Sequence, residues 1–289
     1  MKKIDRILRS QGGHWVGDGF PVRSIFAYDR EAQENSPFLL FDYAGPYNFP
    51  PALAPRGVGQ HPHRGFETVT IAYEGEVAHR DSTGGGGTIR PGDVQWMTAA
   101  GGIIHEEFHS PAYTKTGGPF RMVQLWVNLP QKDKMAKAGY QGLTSAEIPV
   151  VELANGAGRA RIIAGEMDGV RGPARTFSPI NLWDVRLDRD ATVTLDLPEG
   201  HTAMVAVLSG HVTVTDTGDG AGEAEIIRFT REGSRVTLKA DGDAMLLVMT
   251  GQPLGEPVVG HGPFVMTSAA DIRQAFADFQ SGRFGAVEA

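Results

Sequence analysis

Five of the nine histidines in the chain fall within the 49 residues that end at His109. Among them, His61 and His63 are two residues apart, and His105 and Glu107, which begin 44 residues after His61, have the same spacing. Positions i and i+2 of a strand point to the same face, so each pair aims both side chains to one side. Two such strands of one barrel would bring three imidazoles and one carboxylate together. This donor set predicts a site for one divalent transition metal, Fe, Mn, Cu, Ni or Zn, with two octahedral positions open for water, substrate or dioxygen.

Other residues compete for these roles. Glu67, four residues after His63, is the rival carboxylate. A lone His-x-His pair is often no more than two surface histidines, and His79 and His109 are expected to face solvent or to support the ligands from behind. The remaining histidines have no partner at such a spacing and are predicted to be structural: His14, His201, His211 and His261.

Strands must position the candidate ligands, and the sequence is rich in them. β-Branched and apolar runs end at glycine or proline turns, which is typical of strands. The clearest runs are Thr68–Tyr73, Met122–Leu129, Ala203–Leu208 and Ala244–Thr250. The chain is therefore predicted to be mostly β.

Two helices are also predicted. A short polar one covers Gln131–Ala138, and an amphipathic one covers Ala269–Gln280. For the second, Ser268 and Asp271 resemble a capping box and Gly282 can close the end. We expect this C-terminal helix to dock on a sheet.

The strand pattern occurs twice. The segment YEGEV at 73–77 resembles LSGHV at 208–212, and RPGDV at 90–94 resembles REGSR at 231–235. This pattern predicts two copies of an antiparallel β unit, each folded into a small barrel, with the boundary between residues 131 and 150. At shifts of 135 and 141 residues the four candidate ligands align with Asp196, Pro198, Leu246 and Val248. We infer a C-terminal barrel without a metal.

The composition excludes several classes of function. The 34 acidic residues outnumber the 27 Lys and Arg residues, giving a net charge of −7, which disfavours direct nucleic-acid binding. The absence of cysteine excludes disulfides, zinc fingers, iron–sulfur clusters and thiol catalysis. The N-terminus has no apolar core of a secretory signal, and no run of about 18 apolar residues would span a membrane. We expect a cytoplasmic protein that does not bind membranes.

The same residues carry a resemblance to the pirin family of the cupin superfamily. The matching segments, in order, are GQHPHRGFETV (59–69), PGDVQWMTA (91–99), GIIHEE (102–107), QLWVNL (124–129) and GPFVM (262–266). The resemblance implies a bicupin fold, in which two antiparallel jelly-roll β-barrels pack face to face with a few short helices and a C-terminal helix. It implies a metal-binding domain over residues 1–135 and a metal-free cupin domain over residues 136–289. It also implies iron(II) as the metal, and Glu107 rather than Glu67 as the carboxylate, because pirins take theirs from the second motif.

The resemblance implies two kinds of function. The first is a dioxygenase that opens the central ring of a flavonol such as quercetin with O2, with Glu107 as both ligand and base. Phe66, Trp96, Met97 and Gln124 would line its pocket or belong to the barrel core, and the Gly84–Gly87 hairpin tip would border the mouth. The alternative is a non-catalytic iron-binding regulator that binds a protein partner. An enzyme of the same type acting on another enol or phenol is a third hypothesis.

Overall fold

The computed structural model describes residues 1–287, which form 26 strands and three α-helices. The strands are β1 (Ile4–Arg9), β2 (Gly13–Val16), β3 (Phe20–Ala27), β4 (Phe38–Phe49), β5 (Gly57–His63), β6 (Phe66–Glu74), β7 (Val77–Asp81), β8 (Gly86–Ile89), β9 (Val94–Thr98), β10 (Ile103–His109), β11 (Gly118–Asn128), β12 (Gly139–Leu143), β13 (Val150–Glu152), β14 (Gly158–Ala164), β15 (Glu166–Met167), β16 (Val170–Arg171), β17 (Ile180–Leu187), β18 (Thr192–Asp196), β19 (Thr202–Ser209), β20 (His211–Val214), β21 (Gly220–Gly222), β22 (Glu225–Phe229), β23 (Arg235–Ala240), β24 (Ala244–Gly251), β25 (Val259–His261) and β26 (Phe264–Met266). The helices are α1 (Ala32–Asn35), α2 (Pro111–Thr116) and α3 (Ala269–Gln280). All four predicted strands are confirmed.

The chain divides into two compact units that exchange their terminal segments. The N-terminal barrel comprises residues 12–33, 38–145 and 254–287, and the C-terminal barrel comprises 1–11, 34–37 and 146–253. The predicted ranges, 1–135 and 136–289, differ from these units at both ends of the chain. The reason is long-range pairing, because β1 hydrogen-bonds to β22 while α3 packs on β26. Local composition does not reveal such pairing.

The N-terminal barrel has a large sheet and a small one. The large sheet has the order β12-β9-β6-β11-β4-β3-β2, and the small sheet has the order β5-β10-β7-β8. All strand pairs of these two sheets are antiparallel. The predicted ligand pairs lie on β5 and β10, which are neighbours in the small sheet.

The C-terminal barrel repeats this plan. Its large sheet has the order β1-β22-β19-β24-β17-β14-β13 and its small sheet has the order β18-β23-β20-β21. By position in the sheets, β18 corresponds to β5 and β23 to β10. The all-β, bicupin prediction is therefore confirmed, together with the internal repeat.

The repeat corrects the predicted equivalences. Leu246 and Val248 lie on β24, which corresponds to β11 and not to the ligand strand β10. When the two small sheets are aligned by their strand pairing, four other residues take the positions equivalent to the candidate ligands. All four are buried in one apolar core: Leu195, Leu197, Val236 and Leu238. Apolar side chains fill the space in which donors would be needed, which supports the prediction that this barrel holds no metal.

The C-terminal helix begins and ends as predicted. Ser268 caps α3 by accepting a hydrogen bond from the backbone N–H of Asp271. The predicted helix over Gln131–Ala138 is wrong, because these residues form a 3₁₀ turn over Gln131–Asp133 followed by further turns. Lys134 is buried there, so this segment is not the polar surface helix that its composition indicates. None of the helices formed by residues 1–287 has the length and apolar character needed to cross a bilayer.

Candidate metal centre

Three adjacent strands, β5, β10 and β7, present their donor side chains to one face. His105 on β10 lies directly opposite His61 on β5 and opposite Asp81 on β7. Glu107, two residues further along β10, lies opposite His79. Residues directly opposite each other in an antiparallel pair have neighbouring side chains on the same face. The register therefore collects donors from three strands, one more than the sequence predicted.

Three of the four predicted ligands form a tight group. One ring nitrogen from each of His61, His63 and His105 lies within 4.8 Å of the others. The ring centroids are 4.2 Å apart for His61 and His105 and 4.8 Å apart for His63 and His105. This first triad has the residue types of an imidazole metal site, and its donor atoms are close enough together to bind one ion.

The fourth predicted ligand joins a different group. Glu107 belongs with His105 and His79 to a second triad whose donor atoms also lie within 4.8 Å of one another. The pairing of β10 with β5 shifts register between His105 and Glu107, whereas its pairing with β7 is regular. The two triads share His105, so the site is a cluster of four imidazoles and one carboxylate.

The buried imidazoles are poised to bind a cation. Nδ1 of His63 and Nε2 of His105 are buried and have no hydrogen-bond partner within the described residues. Nδ1 of His61 is 2.8 Å from the carbonyl oxygen of Gly59, which leaves Nε2 of that ring for a ligand. Desolvation lowers the pKa of both His63 and His105 well below the usual value, so both rings are neutral near pH 7. Neutral imidazoles with orphaned buried nitrogens fit a transition metal.

Two residues of the large sheet orient the carboxylate of Glu107. Gln124 on β11 donates from Nε2 to Oε2 at 3.1 Å, and Thr70 on β6 donates to Oε1 at 3.4 Å. The indole of Trp126 donates in turn to the amide oxygen of Gln124 at 3.2 Å, which fixes the orientation of the amide. Glu107 is 3% exposed, and its carboxylate is held from the opposite wall of the barrel.

The rival carboxylate lies elsewhere. Glu67 and Thr70 differ by three positions on β6, so their side chains point to opposite faces of the sheet. The hydroxyl of Thr98 donates to Oε1 of Glu67 at 2.7 Å, and burial raises the pKa of this carboxyl to about 7. Trp96 lies opposite Val69 and shares this outer face. Of the four residues predicted to line the pocket, it is the one whose side chain points to the face opposite to that of Thr70.

The structure decides between the two expectations for His79. This residue is 2% exposed, so it does not face solvent, and the alternative that it supports the ligands remains. Its Nδ1 is 3.3 Å from Nδ1 of His105, and its Nε2 is 3.3 Å from Oδ2 of Asp81. His79 and Asp81 have the same two-residue spacing as the two predicted pairs, and that signal could have identified the third strand.

A cavity of about 520 Å³ opens beside this third strand. It is lined by the β7–β8 hairpin, from His79 through Gly87, and by Ala286 and Val287. The predicted hairpin at the glycine run is confirmed, and its position at the barrel mouth stays a prediction. His109, at the far end of β10, is also buried, among Phe49, Phe120 and other rings, with Nε2 2.9 Å from the carbonyl oxygen of Gly19.

Comparison with known proteins agrees with this architecture. The family model described as Pirin matches residues 19–127, and the model described as Pirin C-terminal cupin domain matches residues 182–285. A Pseudomonas aeruginosa protein named "Putative quercetin 2,3-dioxygenase" is 56% identical over 284 residues, which cover 98% of this chain and 99% of that protein. A crystal structure titled as quercetin 2,3-dioxygenase from Acinetobacter baumannii superimposes with a TM-score of 0.96 at 53% identity, covering 100% of both chains.

A more distant structure shows the fold alone. The bacterial pirin YhhW from Escherichia coli, in complex with nickel(II), matches with a TM-score of 0.65 at 19% identity, over 86% of this chain and 99% of that chain. The two family models, the whole-length relatives and the two barrels lead to one assignment. The chain belongs to the pirin family.

Proposed function

We propose that the protein is a metal-dependent dioxygenase that opens the central ring of a flavonol such as quercetin with O2 and releases carbon monoxide. The single observation that carries this proposal is the cluster of His61, His63, His105 and Glu107 with His79 in one barrel, where all but the half-buried His61 are buried. The name of the Pseudomonas aeruginosa relative, at 56% identity, supports the choice of reaction.

We infer that His61, His63, His105 and Glu107 hold the metal, with iron(II) as the preferred ion. The bound metal would supply a coordination site for the ionised substrate and the means of passing electrons to dioxygen. Glu107 shares its triad with His105, which also belongs to the triad of His61 and His63, so the four residues belong to one cluster. The hydrogen bonds from Thr70 and Gln124 hold the carboxylate of Glu107 beside His105.

Aromatic side chains beside His63 suit a flat substrate. Trp126 stacks on Phe66 with centroids 4.3 Å apart, and Tyr28 continues the stack at 6.4 Å. The rings of Trp126 and His63 are in edge-to-face contact with centroids 5.2 Å apart. Phe66 is fully buried, whereas Trp126 and Tyr28 are only partly buried. Aromatic rings bind flat aromatic ligands through stacking and apolar contact, so these two rings support the choice of an aromatic substrate.

Glu107 is also the base in this proposal. The 3-hydroxyl of a flavonol must lose its proton before the enolate oxygen can bind a cation, and a carboxylate in the same cluster can accept that proton. Gln124 donates to Oε2 and holds one oxygen in place, while the weaker contact from Thr70 leaves Oε1 the more available of the two. The low exposure of the site keeps bulk water from competing for the proton.

The test is turnover by the iron(II)-loaded protein. We expect quercetin to be consumed with equal amounts of O2 taken up and carbon monoxide released. His61→Ala should abolish turnover and metal binding together, and Glu107→Gln should lower turnover at least about 100-fold. Glu67→Gln is the matched control, because this buried carboxyl lies on the other face of the sheet and its loss should leave turnover unchanged.

One result would overturn the proposal. Full iron occupancy without O2 uptake from any flavonol would exclude the dioxygenase and favour the non-catalytic regulator. Elemental analysis of the same sample separates this result from failure to load the metal.

A further inference from the structure

A chain of hydrogen bonds runs from Asp81 through His79 to His105. Asp81 Oδ2 is 3.3 Å from Nε2 of His79, and Nδ1 of His79 is 3.3 Å from Nδ1 of His105. All three residues are at most 3% exposed. The contacts follow from the register of β7 and β10, because Asp81 lies opposite His105 and His79 lies opposite Glu107.

The carboxylate gives this chain its direction. An ionised carboxylate can only accept hydrogen bonds, so Nε2 of His79 must carry the proton that faces Asp81. Nδ1 of a neutral His79 is then bare and accepts a hydrogen bond from Nδ1–H of His105. That choice of tautomer leaves Nε2 of His105 unprotonated, and this is the buried nitrogen that has no partner within residues 1–287.

We propose that His79 is a positioning residue that, oriented by Asp81, fixes the tautomer of His105 and thereby presents Nε2 of His105 to the metal. This inference rests on the metal site of the proposed function. It assigns to His79 and Asp81 the role that neighbouring carboxylates and carbonyls play for ligating histidines in general, extended here by one imidazole.

The surroundings hold both partners in place. The other oxygen of Asp81, Oδ1, accepts hydrogen bonds from the backbone N–H groups of Thr83 and Gly85, at 2.8 and 3.1 Å, and from the hydroxyl of Thr83. These bonds fix the carboxylate and leave Oδ2 for His79. The ring of Tyr140 stacks on His79 with an interplanar angle of 13°, which restrains rotation of the imidazole.

A substitution that reverses the direction of these hydrogen bonds tests the inference. In Asp81→Asn the Oδ1 atom can keep the bonds to Thr83 and Gly85, but the amide NH2 now donates toward Nε2 of His79. The proton of His79 must then move to Nδ1, and His105 is driven to carry its own proton on Nε2, where the metal should bind. The size and shape of the side chain are conserved, so we expect the variant to fold.

Two measurements report on this change. With ¹⁵N-labelled histidine, NMR of the metal-free protein should show His105 protonated on Nδ1 and His79 on Nε2, and Asp81→Asn should exchange both assignments. Calorimetric titration with Zn²⁺ should show affinity lower by about 10- to 100-fold in Asp81→Asn. His109→Asn is the matched control, since His109 is buried on the same strand and contacts Gly19 instead, and its Zn²⁺ affinity should equal that of the wild type.

Other results would overturn the inference. Wild-type protein with His79 protonated on Nδ1, or Asp81→Asn with Zn²⁺ affinity within twofold of the wild type, would exclude the role of the chain. If X-ray absorption of Zn²⁺-loaded His79→Leu counted one imidazole fewer than the wild type, His79 would be a ligand and not a positioning residue. Failure of flavonol turnover alone would refute the dioxygenase and leave these tautomers and affinities unaffected.

Discussion

The buried carboxyl of Glu67 should make the stability of the protein fall as the pH rises toward neutrality. Burial raises its pKa from the ordinary value of 4.5 to about 7 in the folded state, so folding favours the protonated form. The contribution is fully present below pH 4.5, decreases between pH 4.5 and 7, and is lost above pH 7. In that interval the unfolded chain has released a proton that the native chain still holds.

The size of the effect follows from the two pKa values. Linkage with 4.5 and 7 gives a loss of about 2.5 kcal/mol of unfolding free energy between pH 5 and pH 8 from this one group. Glu67→Gln cannot ionise, so it should gain about that much relative to the wild type over the same interval. Urea unfolding of both proteins at pH 5 and pH 8, with a chelator present to remove metal effects, measures the difference.

Thr98 offers a second test of the same reasoning. Its hydroxyl donates to Glu67 and lowers the pKa of the carboxyl, in opposition to burial. Thr98→Val should therefore move the pH at which stability falls to a higher value. A difference between the wild type and Glu67→Gln that stays constant from pH 5 to pH 8 would refute the assignment of a neutral, buried Glu67.

Two further predictions concern the packing of the N-terminal barrel. Lys134→Met should lower the unfolding free energy by about 3 kcal/mol in chemical denaturation. The reason is that the buried ammonium donates to three oxygens, on Gly65, Asn128 and Val265, and these would lose their partner. Lys134→Arg is the control that retains the charge. Gly102→Ala should lower the unfolding free energy by about 2 kcal/mol in the same assay. The φ of 130° at Gly102 disfavours a side chain, and the new Cβ would lie 2.5 Å from the ring of Phe284. Wild-type stability in either variant would contradict the contact on which its prediction depends.

The two predicted donor pairs were accessible from the sequence because strand periodicity is local. His61 with His63, and His105 with Glu107, are two residues apart, and any strand containing them must place each pair on one face. The alternation of side chains along a strand also separates the two candidate carboxylates, since Glu67 lies on the outer face of β6. The choice of Glu107 over Glu67 nevertheless needed the structure or the family resemblance, because the local sequence does not show which face of β6 points into the barrel.

The third donor strand was missed because pairing between strands is not a local property. The pair His79 and Asp81 has the same spacing as the others, but its relevance depends on β7 lying beside β10. The residue equivalences drawn from the repeat were wrong for the same reason, although the repeat itself is confirmed. Gly92 precedes β9 whereas Gly233 precedes β23, so matching these two glycines compares strands with different places in the sheet and aligns His105 with the wrong residue.

The C-terminal segment is part of the N-terminal barrel, and this leads to a last prediction about the metal site. Pro263 lies beside the ligand strand, where its carbonyl accepts hydrogen bonds from His63 and from the backbone N–H of Arg64. The backbone N–H of Val265 donates to the carbonyl of Arg64 at 3.1 Å, and the guanidinium of Arg64 pairs with Asp278 on α3 at 2.8 Å. The segment therefore fixes the end of β5 at the position of His63.

A chain that ends at residue 253 keeps all four predicted ligands but loses these contacts. We expect it to bind Zn²⁺ at least about 10-fold more weakly than the full chain in calorimetric titration, because one imidazole of the first triad is no longer oriented. Circular dichroism and a Zn²⁺ titration of the separate variant Asp278→Asn distinguish loss of orientation from loss of folding, since this variant weakens one contact and retains the segment. Wild-type affinity in the shortened chain would mean that β5 and β10 define the site by themselves, and that the exchange of terminal segments between the two units serves stability and not metal binding.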